Sequence, residues 1–454
     1  MERNLTTGKI SRSLIVFSLP LILGNLLQQL YNVADTLIVG KTIGATALSA
    51  VGSSYSLMVL LTSIVLGLCM GSGVVFAQLY GAKRMDDLKT SMVNSFVFIL
   101  IVSTVINVLS YLLLDNLIIW LNIPADAADF TREYLSIIFA GMIFVTLYNF
   151  ISSILRSIGN TLMPLVFLAV AAVTNIVLDI LFIVYLNGGV AGAAFASVIA
   201  QALSAICITL YFLVKAKHVC PGKKHMRYNK PLLRMVFHNS TLTAIQQSIM
   251  NLGILMVQGL VNSFGFAASA AFAVVVKIDA FAYMPAQDFG NAFSTFVAQN
   301  YGAKKTDRIH KGSVAAIKIS MIFCIAASLF VVLFAKPLML LFVEAQETAV
   351  ISIGIQYLRI VGASYTGIGI LFLLYGLYRG LGKSLISILL TILSLGSRVL
   401  LANILSSAPR VGLPGIWWAV PIGWALADIY GIAYYHLKKR RLLGDSELAE
   451  TDFL

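Results

Sequence analysis

The heptapeptide Ala77-Gln78-Leu79-Tyr80-Gly81-Ala82-Lys83 recurs in the second half of the chain as Ala298-Gln299-Asn300-Tyr301-Gly302-Ala303-Lys304. Three more pairs recur in the same order and at nearly the same offset: Tyr134-Leu135 with Tyr357-Leu358, Arg156-Ser157-Ile158-Gly159 with Arg379-Gly380-Leu381-Gly382, and Gly189 and Gly192 with Gly412 and Gly415. Four ordered pairs at an offset close to half the chain do not arise by chance. The chain therefore contains two copies of one structural unit.

The composition excludes a soluble protein. Of the 454 residues, 59% are hydrophobic and only 11% are charged, whereas about a quarter of the residues are charged in soluble domains. Apolar segments of about 20 residues are long enough to cross a bilayer. We predict an all-α polytopic membrane protein with twelve spans, at residues 13–40, 51–79, 93–114, 133–152, 161–187, 190–214, 239–263, 267–299, 314–335, 352–376, 384–407 and 413–436.

The net charge of +13 is a topology signal and does not indicate a nucleic-acid partner. Most of the 32 Lys and Arg residues lie in the two tails and the even-numbered connections, such as the basic segment 215–234. An excess of positive charge marks cytoplasmic loops. We therefore predict that both termini are cytoplasmic, in a plasma-type (inner) membrane.

Each copy of the repeat holds six spans, so both copies enter the membrane in the same orientation. Parallel repeats of this kind are typical of transporters whose two lobes rock around a central site. The predicted domains are an N-lobe at 1–214, a basic cytoplasmic linker at 215–238, a C-lobe at 239–437 and a tail at 438–454.

Asp35 and Asp179 are each the only carboxylate in an apolar span, on the first and fifth helices. A charged residue inside a membrane helix costs about 2.5–3.5 kcal/mol on insertion scales, so such residues are rare and usually functional. Other polar side chains fall on the same helical faces or on neighbouring spans: Gln28, Asn32, Tyr134, Asn149, Asn175 and Ser197. We interpret Asp35 and Asp179 as the centre of an ion-coupling site.

The ligand chemistry of this site suits either a proton or a hard cation. Carboxylate, amide and hydroxyl oxygens bind hard cations and also share protons. The residues predicted to bind Na⁺, where Na⁺ is the ion, are Asp35, Asn175, Asp179 and Ser197. For Asn32, Asn149 and Ser197 a second interpretation is hydrogen bonding between packed helices.

The second half does not keep this site. At the repeat offset Asn175 becomes Arg398 and Asp179 becomes Ala402. Asp288 is the deeply placed carboxylate of this half. It either pairs with Arg398 or provides a second protonation site.

The chain resembles the multidrug and toxic compound extrusion (MATE) family, most closely its bacterial DinF-like branch, over essentially its whole length. The residues that carry the resemblance are Pro20, Asn32-Val33-Ala34-Asp35-Thr36, Gly40, the two repeated heptapeptides, Arg156 with Gly159-Asn160-Thr161 and Pro164, Asn175 with Asp179, and Gly192.

The resemblance implies two six-helix lobes arranged as a V around a cavity, and export of organic cations and amphipathic compounds driven by H⁺ or Na⁺. It also implies ion-coupling roles that carry over to Asp35, Asn175, Asp179, Tyr134, Asn149 and Ser197. Gln28, Asn32 and Asp288 are candidates for the substrate cavity, and Pro20 is the expected bend of the first helix. We expect a monomer with no cofactor other than the coupling ion.

Two other functional classes fit the sequence less well. A flippase for lipid-linked precursors, the alternative within the same superfamily, needs several cations for phosphate groups, and the candidates away from the span ends are Lys277 and Arg398. An enzyme needs a nucleophile–base or metal motif, and the five histidines lie in predicted loops or at helix ends. We therefore predict a transporter and no enzymatic activity.

Overall fold

The computed structural model describes residues 3–42, 45–120, 123, 125–408 and 411–443, and all regular structure in these residues is helical. The first half contains α1 Ile10–Thr42, α2 Ala45–Gly81, α3 Met85–Leu112, α4 Leu114–Trp120, α5 Ala125–Ser157, α6 Leu162–Asp179 and α7 Gly189–Lys215. The second half contains α8 Lys230–Asn262, α9 Phe266–Gly302, α10 Thr306–Leu333, α11 Ala335–Leu340, α12 Thr348–Ile360, α13 Tyr365–Gly380, α14 Ser384–Ser406 and α15 Leu413–Leu443. A π-helix, Ile180–Tyr185, follows α6, and two short 3₁₀ turns lie at Lys223–His225 and Gly362–Ser364.

Twelve segments of the described chain are long and apolar enough to cross a membrane. The π-helix extends α6 into one span, α12 and α13 together form another, and α4 and α11 are too short to cross. Helices satisfy all their backbone hydrogen bonds internally, which a lipid environment requires. The prediction of an all-α, twelve-span membrane protein is confirmed.

The repeated heptapeptide builds the same helix stop in both halves. Lys83 and Lys304 adopt positive φ angles of 59° and 55° directly after α2 and α9. The bonds that close the two turns are Arg84 N to Leu79 O (3.0 Å) and Lys305 N to Asn300 O (2.9 Å). Such six-to-one bonds satisfy the last carbonyls of a helix. The repeat thus fixes where two equivalent spans end.

The second repeated motif needs glycine at residue 159 because of its backbone conformation and a close neighbour. Its φ is +91°, and a Cβ at this position would lie 2.0 Å from the carbonyl oxygen of Arg3. The Arg3 amide donates to the Gly159 carbonyl at 3.1 Å. The equivalent Gly382 also has a positive φ, 72°. Only glycine fits both the backbone conformation and the close approach at residue 159.

The contacts divide the chain into two compact units. Within the described residues, the first unit comprises Leu23–Ala244 with Arg3 and Asn4, and the second comprises Leu5–Ile22 and the residues from Ile245 onward. The two helices that pass from one unit to the other, α1 and α8, do so after Ile22 and Ala244, which occupy equivalent positions in the repeat.

This division differs from the predicted lobe boundaries at 214 and 239. The N-terminal halves of α1 and α8 each pack with the repeat to which they do not belong in sequence. Hydropathy could not detect this exchange because it identifies a span without its packing partners. The predicted linker 215–238 is also partly helical, since α8 begins at Lys230, and α15 continues into the predicted tail as far as Leu443.

Small residues allow the helices of the first unit to pack closely. A Cβ at Gly71 of α2 would lie 2.5 Å from the carbonyl oxygen of Asn239 in α8. The adjacent Ser72 and Ser240 hydroxyls hydrogen-bond at 2.8 Å. Close contact through glycine and serine, rather than large apolar residues, stabilises helix pairs in lipid.

The second unit anchors the segment that precedes α1. Leu5 is fully buried, its amide donates to Gln299 Oε1 at 3.1 Å, and its carbonyl accepts from Asn300 Nδ2 at 3.2 Å. The Arg308 guanidinium donates to three carbonyls, those of Leu5 (3.1 Å), Thr7 (2.7 Å) and Gly8 (2.8 Å). Side chains next to the repeated turn therefore hold the start of the chain in place.

Gly376 provides a test of packing in the second unit. A Cβ at this position in α13 would lie 2.4 Å from the carbonyl oxygen of Gly290 in α9, whereas a Cβ at Gly396 in α14 would meet nothing within 4 Å. We expect Gly376→Ala to lower the stability by about 1–3 kcal/mol through overpacking. Gly396→Ala should leave it unchanged or slightly higher because alanine favours the helix. Thermal unfolding of both variants in detergent measures the difference, and equal midpoints would contradict the close approach.

Candidate functional site

The first unit brings the carboxyl groups of Asp35 and Asp179 within hydrogen-bonding reach of each other. Asp35 lies in the C-terminal part of α1, and Asp179 is the last residue of α6. Asp179 is fully buried, and Asp35 is half-buried. Two carboxyl groups from separate helices therefore form one centre, as the sequence predicted.

The backbone changes its winding directly after Asp179. The π-helix Ile180–Tyr185 begins at the next residue, and Leu186 N donates to Leu181 O at 3.0 Å across five residues. The wider turn has room because glycine faces it: a Cβ at Gly192 would lie 3.2 Å from Phe182 Cβ. π-helical turns inside α-helices are rare and often occur at functional sites. Here the change of winding sets the position of Asp179 relative to the residues that follow it.

Asn175 links Asp179 to Ser197 of α7. Its amide nitrogen donates to Asp179 Oδ2 (3.1 Å), and its amide oxygen accepts from the Ser197 amide (3.3 Å) and hydroxyl (3.2 Å). The Asn175 side chain therefore ties Asp179 to α7.

Two tyrosines complete the surroundings of the carboxyl pair. Tyr134 of α5 and Tyr31 of α1 lie close enough to both Asp35 and Asp179 for the charges to interact. Tyr134 was a predicted site residue. Tyr31 was missed, although its spacing of four residues before Asp35 places both on one face of α1.

The charge of the pair has no protein counter-ion in the part of the chain that is described. No Lys, Arg or His there lies within ion-pair distance of Asp35 or Asp179, and Oδ1 of each has no hydrogen-bond partner among the described residues. Two negative charges about 4 Å apart repel by roughly 4 kcal/mol at an effective dielectric constant of about 20. A bound proton or monovalent cation would remove this repulsion. The pair is therefore suited to bind and release one positive charge.

Asn149 and Asn32 form hydrogen bonds within their own helices. Asn149 donates to the carbonyl of Val145 at 2.9 Å, and Asn32 donates to Gln29 Oε1 at 3.3 Å. Gln28 is exposed on α1. The coupling role of Asn149 and the cavity roles of Asn32 and Gln28 stay predictions.

Two further predictions concern the second unit. Pro20 lies within α1, which continues through it, two residues before the point where α1 leaves this unit. Asp288 is buried on α9. Its pairing with Arg398 and its role as a second protonation site stay predictions. The charge of Arg398 also acts on Asp279, which the sequence analysis did not single out.

Asp279 of α9 lies in a hydrogen-bonded cluster with two tyrosines. It accepts hydrogen bonds from the hydroxyls of Tyr357 (2.6 Å) and Tyr365. Tyr357 is the repeat equivalent of Tyr134, and this correspondence was the sequence signal that could have identified Asp279. Arg398 lies close enough for its charge to act on Asp279.

The unbalanced charge at the carboxyl pair predicts a gain in stability from Asp35→Asn. An amide at residue 35 can donate to Asp179 and removes one buried negative charge, so we expect the free energy of unfolding to rise by about 1–3 kcal/mol. Thermal unfolding in detergent at neutral pH measures it. The control is Asp126→Asn at an exposed position, where we expect a change within about 0.5 kcal/mol. A loss of stability in Asp35→Asn would show that repulsion between the two carboxylates does not destabilise the protein.

Comparison with known proteins matches the chain to one family model, MatE, at residues 20–181 and again at 243–404. The two matched segments correspond to the two copies of the internal repeat.

Two similar relatives come from Bacillus subtilis. The probable multidrug resistance protein YpnP is 29% identical over 395 residues, covering 86% of each chain. The probable multidrug resistance protein YoeA is 28% identical over 442 residues, covering 95% of each chain. Among solved structures, a MOP superfamily transporter from Pyrococcus furiosus superimposes with a TM-score of 0.90 at 23% identity, covering 96% of this chain and 98% of that one. This structural likeness supports the same fold.

Proposed function

The chain belongs to the MatE family of transporters, and from that premise we propose that it is a secondary antiporter that exports organic cations and amphipathic drugs in exchange for H⁺ or Na⁺. Membership in this family of multidrug efflux transporters confirms the resemblance read from the sequence, and the chain is a transporter rather than an enzyme. We propose three features beyond family membership: the substrate class, the coupling ion and the antiport cycle.

The observation that carries the proposal is the carboxyl pair of Asp35 and Asp179. It lies on spanning helices, and no cation of the described chain neutralises it. Because the carboxyl pair needs one external positive charge, the conformation of the protein can depend on whether the ion is bound. Ligands shift a conformational equilibrium by their difference in affinity for the two states.

In the proposed cycle the two lobes open the substrate site alternately to the outside and to the cytoplasm. Both termini lie in the cytoplasm, and the protein acts as a monomer in the plasma membrane. Uptake of one H⁺ or Na⁺ from outside removes the repulsion between Asp35 and Asp179 and favours release of the drug. The pair with its bound ion then permits the return of the empty site, and the ion leaves on the cytoplasmic side. Asn175 and Ser197 position Asp179 through the hydrogen bonds of the Asn175 amide.

Transport by purified protein in liposomes tests this proposal. We expect export of a fluorescent organic cation to accelerate when one of two gradients, H⁺ or Na⁺, is imposed alone. Asp35→Asn should reduce the gradient-driven rate at least about tenfold, because loss of one charge-binding group costs about 1.4 kcal/mol or more in coupling. Asp126→Asn, an exposed residue outside the site, should transport like the wild type.

The outcomes separate the alternatives. Stimulation by one gradient that Asp35→Asn abolishes identifies the coupling ion. Equal stimulation of wild type and Asp35→Asn would contradict the role of the pair. Failure of both gradients to move the dye in the wild type would favour a lipid-linked or other anionic substrate, as in the flippase alternative.

A further inference from the structure

The second unit carries a basic cavity at the start of α1. The cavity measures about 650 Å³ and is lined by residues 8–12 together with Arg308, Lys311 and Ala315 of α10. Two of its cations, Lys9 and Arg12, flank the beginning of α1, and Lys311 faces them from α10. All three are exposed.

The backbone adds positive potential to the same cavity. The Lys9 carbonyl accepts the first helical bond, from the Ser13 amide at 3.0 Å, so the amides of the first turn have no partner within the helix. The first turn of α1 contains no acidic residue, and a helix N-terminus favours negative charge. Placing Lys9 and Arg12 there is therefore unfavourable unless an anion joins them.

No carboxylate of the described residues supplies that anion. None of Lys9, Arg12 and Lys311 forms an ion pair in the described part of the chain. Arg308 is already engaged, because its guanidinium holds the carbonyls of Leu5, Thr7 and Gly8. Arg308 thus shapes the cavity, and the other three cations are available to a ligand.

An apolar groove lies about one helical turn further along α1 and α10. It measures about 130 Å³ and lies between α1, α9 and α10. Its lining includes Ile15 and Leu19 of α1, Pro285 and Phe289 of α9, and Ile319 and Phe323 of α10. Ile15 and Leu19 are 47% and 50% exposed, on a helix that crosses the membrane. Since a helix rises about 1.5 Å per residue, the groove extends about 10 Å from Ile15 towards the middle of the span.

We propose that the cavity and the groove together bind an anionic phospholipid, whose phosphate contacts Lys9, Arg12 and Lys311 and whose acyl chain lies along Leu19 and Phe323. The cavity lies where the spans of α1 and α10 begin, so a headgroup at the bilayer surface reaches it without leaving the membrane. On the proposed topology this is the cytoplasmic leaflet, and basic pockets on that side of spanning helices bind anionic headgroups. The site is independent of the proposed antiport and requires only that the chain is in a bilayer.

Three probes on the purified full-length protein in detergent identify the ligand class. They are phosphatidylglycerol, phosphatidylcholine with the same acyl chains, and sn-glycerol 3-phosphate, which has the phosphate and no chains. Native mass spectrometry gives the dissociation constants, and thermal unfolding gives the shift in midpoint. We expect phosphatidylglycerol to bind and to raise the midpoint, and the other two to do neither at the same concentration. Equal binding of phosphatidylcholine would overturn the proposal, because the cations would then not be needed. Equal binding of glycerol phosphate would overturn it as well, because the groove would then not be needed.

A pair of triple variants locates the site. Lys9→Gln, Arg12→Gln and Lys311→Gln together should weaken phosphatidylglycerol binding about 100-fold, from roughly fivefold for each cation near a membrane surface. Lys217→Gln, Lys438→Gln and Lys439→Gln remove the same charge from other loop and helix-end positions and should weaken it less than about fivefold. An equal loss in both triple variants would mean that the affinity is a diffuse effect of net charge, and would overturn the assignment.

Discussion

A bilayer offers no water, so the chain itself must satisfy every polar group that it places there. Backbone groups are satisfied by helices, which is why twelve spanning helices account for most of the described residues. Side-chain charges are harder to satisfy, because a buried charge without a partner is strongly unfavourable. The arrangement of Asp35 and Asp179 follows from this constraint: the described chain brings two carboxyl groups together and supplies no cation for them. One positive charge from outside would remove the repulsion between them, and this is the physical basis of the proposed ion coupling.

The two halves meet the same constraint differently. In the first, Tyr134 faces a carboxyl pair from α1 and α6; in the second, its equivalent Tyr357 donates to Asp279 of α9. Arg398 occupies the position equivalent to Asn175, and its charge acts on Asp279. Ala402 stands in place of the second acid. The two copies therefore share a scaffold and differ in the charges around their buried carboxylates.

Much of this could be predicted from the sequence. Hydropathy located the spans, and the repeated heptapeptide marked two equivalent helix stops because its turn is a local property of the chain. Spacing along one helix placed Asn175 with Asp179, and Ser197, also predicted, hydrogen-bonds to Asn175. The sequence missed the π-helix after Asp179, since a change of winding depends on what the turn packs against, here Gly192. It also missed Asp279, because the tyrosines that donate to it come from two other helices, α12 and α13, and such contacts between helices leave no pattern along the chain.

The sequence could not predict that the N-terminal halves of α1 and α8 pack with the other repeat. This packing places the two halves of α1 in different units. Its N-terminal half belongs to the second unit, where Arg308 and Gln299 hold the preceding segment. Its C-terminal half belongs to the first unit and carries Asp35. Pro20 removes one backbone hydrogen bond close to the change of unit. Asp35, whose charge state the proposed cycle changes, therefore lies on the same helix as a segment held in the second unit, with Pro20 between them.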